Sequence, residues 1–135
     1  MLEGGCQCGA VRFTCDGEPL DLYICHCTEC RKQSASAFGM SVLVRRKWIK
    51  VTEGEPKSWT RPADSGNRLK CFFCPACGSR LWHEPEDPSV ETATIKNGAL
   101  DRPLDASHAT HIWTGSKLAG IVIPEEAVCF AGEPD

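Results

Sequence analysis

No stretch of the chain approaches the roughly 18 consecutive apolar residues that a membrane-spanning helix requires. The opening "MLEGGCQCGAVRF" has no basic flank ahead of an apolar run, so it does not read as a signal peptide. A basic stripe is also missing. The one basic run of note, Arg45-Arg46-Lys47, is too short to form an electrostatic footprint for nucleic acid or an anionic membrane, and the net charge is −3. These absences argue against membrane and nucleic-acid partners and lead us to expect a cytoplasmic protein. Repeats, low-complexity tracts and linkers are absent too. At 135 residues the chain fits one domain, 1–135, with 131–135 expected to fray.

What the sequence has in excess is cysteine, ten in all. A chain of this length buries roughly two thirds of its unfolded surface and does not need cross-links merely to fold. Reduced thiols in a cytosolic setting more often hold metal than pair as disulfides. Cys6 and Cys8, like Cys25 and Cys27, are one residue apart, a separation that rarely permits disulfide geometry.

The ordered segments are short and rich in β-branched or aromatic residues. "AVRFTC", "LDLYIC", "MSVLV", "RLKCFF", "RLWHE" and "VETATIK" read as strands. Turn residues punctuate them, as in "GEP", "RPADSGN" and "NGALDRP". The one helical piece starts near Thr28 and runs through "ECRKQSASA". The expected class is mainly β with many turns.

Eight cysteines fall into three groups: Cys6/Cys8, Cys25/Cys27/Cys30 and Cys71/Cys74/Cys77. On a strand, residues i and i+2 share a face, so a C-x-C pair can aim both sulfurs at one ion. In "CPACG" the chain turns instead: Pro75 suits the first bend and Gly78 permits a positive φ after the second ligand. That is a half-site for tetrahedral zinc. Either Cys6 and Cys8, or two of Cys25, Cys27 and Cys30, could complete it, and spacing does not choose. If the two-cysteine groups close one Cys₄ site, three thiolates are left over. Three protein ligands with a fourth position open is the pattern of a catalytic zinc. A helix starting at Cys27 or Cys30 would favour thiolate there, with Arg31 and Lys32 adding positive charge.

The motifs "GGCQCGAVRF", "CHCTECRKQS", "FCPACGSRLW", "GALDRP" and "HIWTGSK", in this order, resemble the glutathione-dependent formaldehyde-activating (GFA) family, which also includes centromere protein V. The resemblance implies a β-tent (complex β-roll) of antiparallel sheets with two zinc ions per chain. It assigns the structural zinc to Cys6, Cys8, Cys74 and Cys77, and a labile, catalytic zinc to Cys25, Cys27 and Cys30. It also implies glutathione and formaldehyde as substrates. Their product would be S-hydroxymethylglutathione, whose cleavage is a carbon–sulfur lyase reaction. Zinc would lower the pKa of the incoming thiol, and three thiolate ligands would weaken its Lewis acidity, so thiol delivery is the expected main role. Two departures stand out. Ala35 occupies a position where the family commonly has glycine, and "SKLAG" at Ser116 to Gly120 lacks a Pro-Trp, so Ala119-Gly120 removes an aromatic wall.

Among the other polar residues, His26 is expected to support or pack behind the ligands, and His111 to line the pocket or sit hydrogen-bonded in the core. His83 and His108 read as surface residues. Asp101 reads as a turn former, and Arg12 as a partner for an acidic neighbour or a substrate carboxylate. Cys71 should face away from Cys74, as a core or surface thiol. Cys15 and Cys129 should be buried. The competing function is a zinc-stabilised interaction module without catalysis. Nothing fixes the oligomeric state, and a dimer is one possibility.

Overall fold

The computed structural model describes residues 1–62 and 66–134. Ten strands form two sheets, joined by one α-helix and short 3₁₀ turns. The strands are β1 (Leu2–Gly5), β2 (Arg12–Cys15), β3 (Asp21–Cys25), β4 (Gly39–Arg45), β5 (Ile49–Glu53), β6 (Lys57–Pro62), β7 (Arg68–Phe73), β8 (Arg80–Pro85), β9 (Thr92–Lys96) and β10 (Thr110–Ile112). Helix α1 spans Thr28–Ser34. The small sheet has the order β1-β2-β5, and the large one β10-β3-β4-β9-β8-β7-β6. All pairings are antiparallel except β10 with β3. The chain is thus a mainly β fold of the expected class. No helix of the described residues is long and apolar enough to cross a membrane.

Alternation along the strands decides which face is dry. On β4, Val42 and Val44 are fully buried, as is Ile95 on β9. They meet Phe13 and Cys15 of β2 across the space between the sheets. Trp82 of β8 fills the centre, edge-on to Phe13 at 5.5 Å and stacked on Phe72 at 4.8 Å. Such aromatic burial dominates a core of this size.

The other face of the large sheet carries the chemistry. Register aligns Trp59, Cys71, His83 and Thr94 across β6, β7, β8 and β9. One step along, Lys96 opposes Ser41, and Ser41 opposes Tyr23. A further step brings Gly39 opposite Cys25. Because these positions are two residues apart along their strands, Cys25, Lys96 and His83 all project from the same side of the sheet.

Three expectations need correction here. Helix α1 stops at Ser34 rather than continuing to Ala37, because Ala35 turns left-handed (φ 50°, ψ 41°) and donates its N–H back to the Lys32 carbonyl at 3.2 Å. The tail, expected to fray, has hydrogen-bond partners over 131–133. There Trp113 and Gly115 donate backbone N–H groups to Gly132 and Ala131, and the Trp113 indole donates to Glu133 at 2.9 Å. Cys129 is exposed, since its segment runs along the outer edge beside His111. The "RPADSGN" turn falls partly on residues 63–65, outside the described residues.

Candidate functional site

All ten cysteines are free thiols, and seven of them converge in two groups. Cys6, Cys8, Cys74 and Cys77 bring their sulfurs within 4.8 Å of one another. The Cys6–Cys8 and Cys8–Cys74 sulfur separations are 3.6 and 3.8 Å. Four sulfurs about 2.3 Å from one tetrahedral ion stand about 3.8 Å apart. A disulfide would need about 2.05 Å. The donor set and its dimensions therefore fit a metal ion.

Two similar turns build this group. In the first, the Cys6 carbonyl accepts the Gly9 N–H at 3.2 Å and the Cys6 N–H donates to Val11 at 3.1 Å. In the second, the Cys74 carbonyl accepts the Gly78 N–H at 2.8 Å and the Cys74 N–H donates to Ser79 at 3.0 Å. Gly9 and Gly78 both have φ near +80° (82° and 81°), a region costly for a side chain with a Cβ. Each turn also aims an N–H at a sulfur: Val11 at Cys6 (3.2 Å) and Ala76 at Cys74 (3.4 Å). Ser79 ties the turns together by accepting the Gln7 N–H at 3.0 Å while its hydroxyl lies 3.2 Å from the Cys77 sulfur. That hydroxyl and the Ser79 backbone N–H hold the Cys77 thiol down at about 5.

The second group holds Cys25, Cys27 and Cys30, again within 4.8 Å. Cys25 closes β3, Cys27 caps α1, and Cys30 follows one turn on. The Cys27 sulfur accepts the Cys30 N–H at 3.2 Å. Hydrogen bonds from the Cys25 and Cys30 thiols, with this backbone donor, hold Cys27 far below the ordinary thiol range. Cys25 moves the opposite way, through the same thiol contacts and burial. Among the described residues no fourth ligating side chain joins this group.

The intervening His26 is fully buried. Its Nε2 lies 2.9 Å from Nδ1 of His111, the rings stack at 5.2 Å, and Phe38 packs at 5.6 Å. Burial lowers the pKa of both histidines. His111 is therefore a core partner of His26 and does not line the cavity. Cys71 is buried outside both groups, and Cys15 is buried in the core. Asp101 is not a simple turn former: its carboxylate clasps the Arg12 guanidinium, 2.9 Å on one arm, across the gap between β2 and the segment after β9. His108 is exposed, as expected.

A cavity of about 750 Å³ lies against the four-sulfur group, and Cys25, Cys27 and Cys30 do not line it. Cys6 and Cys77 line one side, and Gln33, Ser34 and Gly39 line the other. Gly39 forms a thin wall, since a Cβ there would stand 3.6 Å from the Cys30 sulfur. Two residues that the sequence did not single out, Arg80 and Lys96, also reach this cavity. His83, expected at the surface, is instead half-buried, with its Nδ1 2.9 Å from the Lys96 ammonium. The period of two in "TATIK" separates Lys96 from the core residues Ala93 and Ile95, but only the sheet register puts it on the side of Cys25.

Comparison with known proteins gives the family. A family model described as "Glutathione-dependent formaldehyde-activating enzyme" matches residues 1–116. A Halomonas elongata protein, provisionally named a glutathione-dependent formaldehyde-activating enzyme, is 29% identical over the whole of this chain and 90% of its own length. The crystal structure of a Rhodobacter sphaeroides protein shares the fold. It has a TM-score of 0.60 and 23% identity over 81% of this chain and 98% of that one. This chain belongs to the glutathione-dependent formaldehyde-activating family.

Proposed function

We propose that the protein is a zinc-dependent enzyme of the carbon–sulfur lyase type that presents a small thiol, glutathione, to formaldehyde. In this reading Cys6, Cys8, Cys74 and Cys77 hold a structural zinc, and Cys25, Cys27 and Cys30 hold a second, labile and catalytic one. The observation that carries it is the difference in ligand number, four sulfurs in one group and three in the other among the described residues. A closed tetrahedral set suits structure, and a three-ligand set suits an ion that takes substrate as its fourth ligand.

Zinc bound at the three-sulfur group supplies positive charge that lowers the pKa of an incoming thiol, so that thiolate exists at neutral pH. The chain prepares this position. Cys27 keeps its sulfur anionic by accepting the Cys30 N–H, while Cys25 and Cys30 are buried against Ile112 and away from water. Three thiolates more than offset the charge of a zinc ion there and weaken its Lewis acidity, so thiol delivery outweighs polarisation of the aldehyde. In the reaction the thiol sulfur bonds to the formaldehyde carbon, the carbonyl π bond opens, and the thiol proton ends on the new hydroxyl. The product is S-hydroxymethylglutathione, and the reverse reaction breaks the same carbon–sulfur bond. Free thiols throughout the chain suit a reducing, cytoplasmic setting.

Cys27→Ser tests the reading. The rate of glutathione–formaldehyde addition, followed by NMR, should fall to the spontaneous background while the far-ultraviolet circular dichroism stays that of the parent. Turnover that survives the substitution would contradict the assignment.

A further inference from the structure

Three cations and a histidine gather on the functional face of the large sheet, and no carboxylate of the described residues pairs with them. The ion pairs formed by other basic residues are Arg12–Asp101, Arg45–Glu91, Arg46–Glu84, Lys50–Asp16 and Arg68–Glu86. Arg61, Arg80 and Lys96 belong to none of these. Arg80 donates to the Gln33 amide oxygen at 3.2 Å and lies 5.9 Å from the centre of the exposed Trp59 ring. The Lys96 ammonium lies 2.9 Å from Nδ1 of His83. Burial, then the neighbouring positive charges of Lys96, Arg61 and Arg80, keep His83 neutral, so its Nδ1 accepts from Lys96 and aims it. Burial, with Arg80 and Arg61 nearby, brings Lys96 itself down to about 8, although the sulfurs of Cys30 and Cys71 oppose this.

A half-buried cation held among like charges is costly unless an anion meets it. Here Arg80 and Lys96 open into the cavity whose Gly39 wall backs onto Cys30. We propose that Arg80 and Lys96 form a carboxylate-binding site that holds an acidic group of the thiol substrate in this cavity. The proposal rests on reading the protein as a glutathione-presenting enzyme, and what it adds is the pair of residues that would hold a carboxylate of that thiol. A cavity of about 750 Å³ is within the range that binds small-molecule ligands, roughly 300–1,000 Å³. Arg80 offers a planar fork for a carboxylate, and Lys96 a point charge directed by His83. Trp59 faces Arg80 with its ring centre 5.9 Å from the guanidinium carbon. The site selects the acid over any neutral thiol of the same size.

The test uses the zinc-loaded protein and two ligands whose sulfur is capped by a methyl group: S-methylglutathione and its dimethyl ester. Calorimetry should show the parent binding the acid about tenfold or more tightly than the ester, the scale expected for charge-assisted hydrogen bonds. Lys96→Met and Arg80→Met should each remove most of that preference, and Lys96→Arg should restore part of it. Equal binding of acid and ester by the parent, or a preference unchanged in both methionine variants, would overturn the proposal. Lys96 would then serve only to balance the thiolates near Cys30. Turnover of glutathione with formaldehyde, measured on the same parent sample, separates this failure from failure of the enzymatic reading. Turnover without an acid preference leaves the enzyme standing and removes the carboxylate site. An acid preference without turnover does the reverse.

Discussion

Ala35 ends helix α1 in a conformation that glycine adopts without strain. A left-handed alanine costs roughly 1–2 kcal/mol. Glycine would relieve that, while adding about 0.4–1 kcal/mol of freedom to the unfolded chain. Ala35→Gly should therefore stabilise by about 1 kcal/mol or less, raising Tm by roughly 2–5 °C for a domain of this size. A differential scanning melt reads this directly, and a lower Tm would mean that the methyl group packs usefully. Sequence could mark Ala35 as a departure from the family, but its sign on stability needed the backbone angle. The cysteines were more legible, because their spacing alone limits how sulfurs can meet. Arg12–Asp101 and Lys96–His83 were not, because each joins residues that only the folded chain makes neighbours.

At the level of elements, each of the six strands expected from β-branched and aromatic patterning overlaps a strand of the structure. Four others escaped notice for identifiable reasons. β1 is "LEGG", half glycine, and β10 is three residues long and pairs in parallel. β5 and β6 expose most of their positions, so they show no alternation that a reader of the sequence could use. In the proposed reading the two cysteine groups differ in how the fold depends on them. The Cys74–Gly78 turn joins β7 to β8 and is knitted by Ser79 to the Cys6 turn between β1 and β2, so it fastens both sheets. Structural zinc contributes on the order of 10 kcal/mol or more in small zinc domains. Cys77→Ser should therefore unfold or aggregate the protein. Cys30→Ser lies in a one-helix excursion and should lose the second metal, at a stability cost of about 1–3 kcal/mol for a buried hydroxyl. Zinc content and thermal melts of the two variants distinguish these outcomes. Equal loss of fold would contradict the division of labour.

The whole molecule brings together what the sequence keeps apart. Cys6 and Cys8 come from the small sheet's first turn, and Cys74 and Cys77 from the far side of the large sheet. The order of the quoted motifs already implied this union through family resemblance, whereas spacing alone left two pairings open. The cavity was not legible at all, because its walls come from β1, β2, α1, β4, β8, β9 and the segment after β9. The difference between the four-sulfur and the three-sulfur group gives the account its central claim: a metal in the first would be closed, and one in the second would take an external thiol. The most direct test is to titrate glutathione into cobalt-substituted protein while following the thiolate-to-metal and d–d absorption bands. The account predicts two bound cobalt ions, with the spectrum of one changing as glutathione binds and that of the other unmoved. Two bound cobalt ions with no spectral response at saturating glutathione would contradict it.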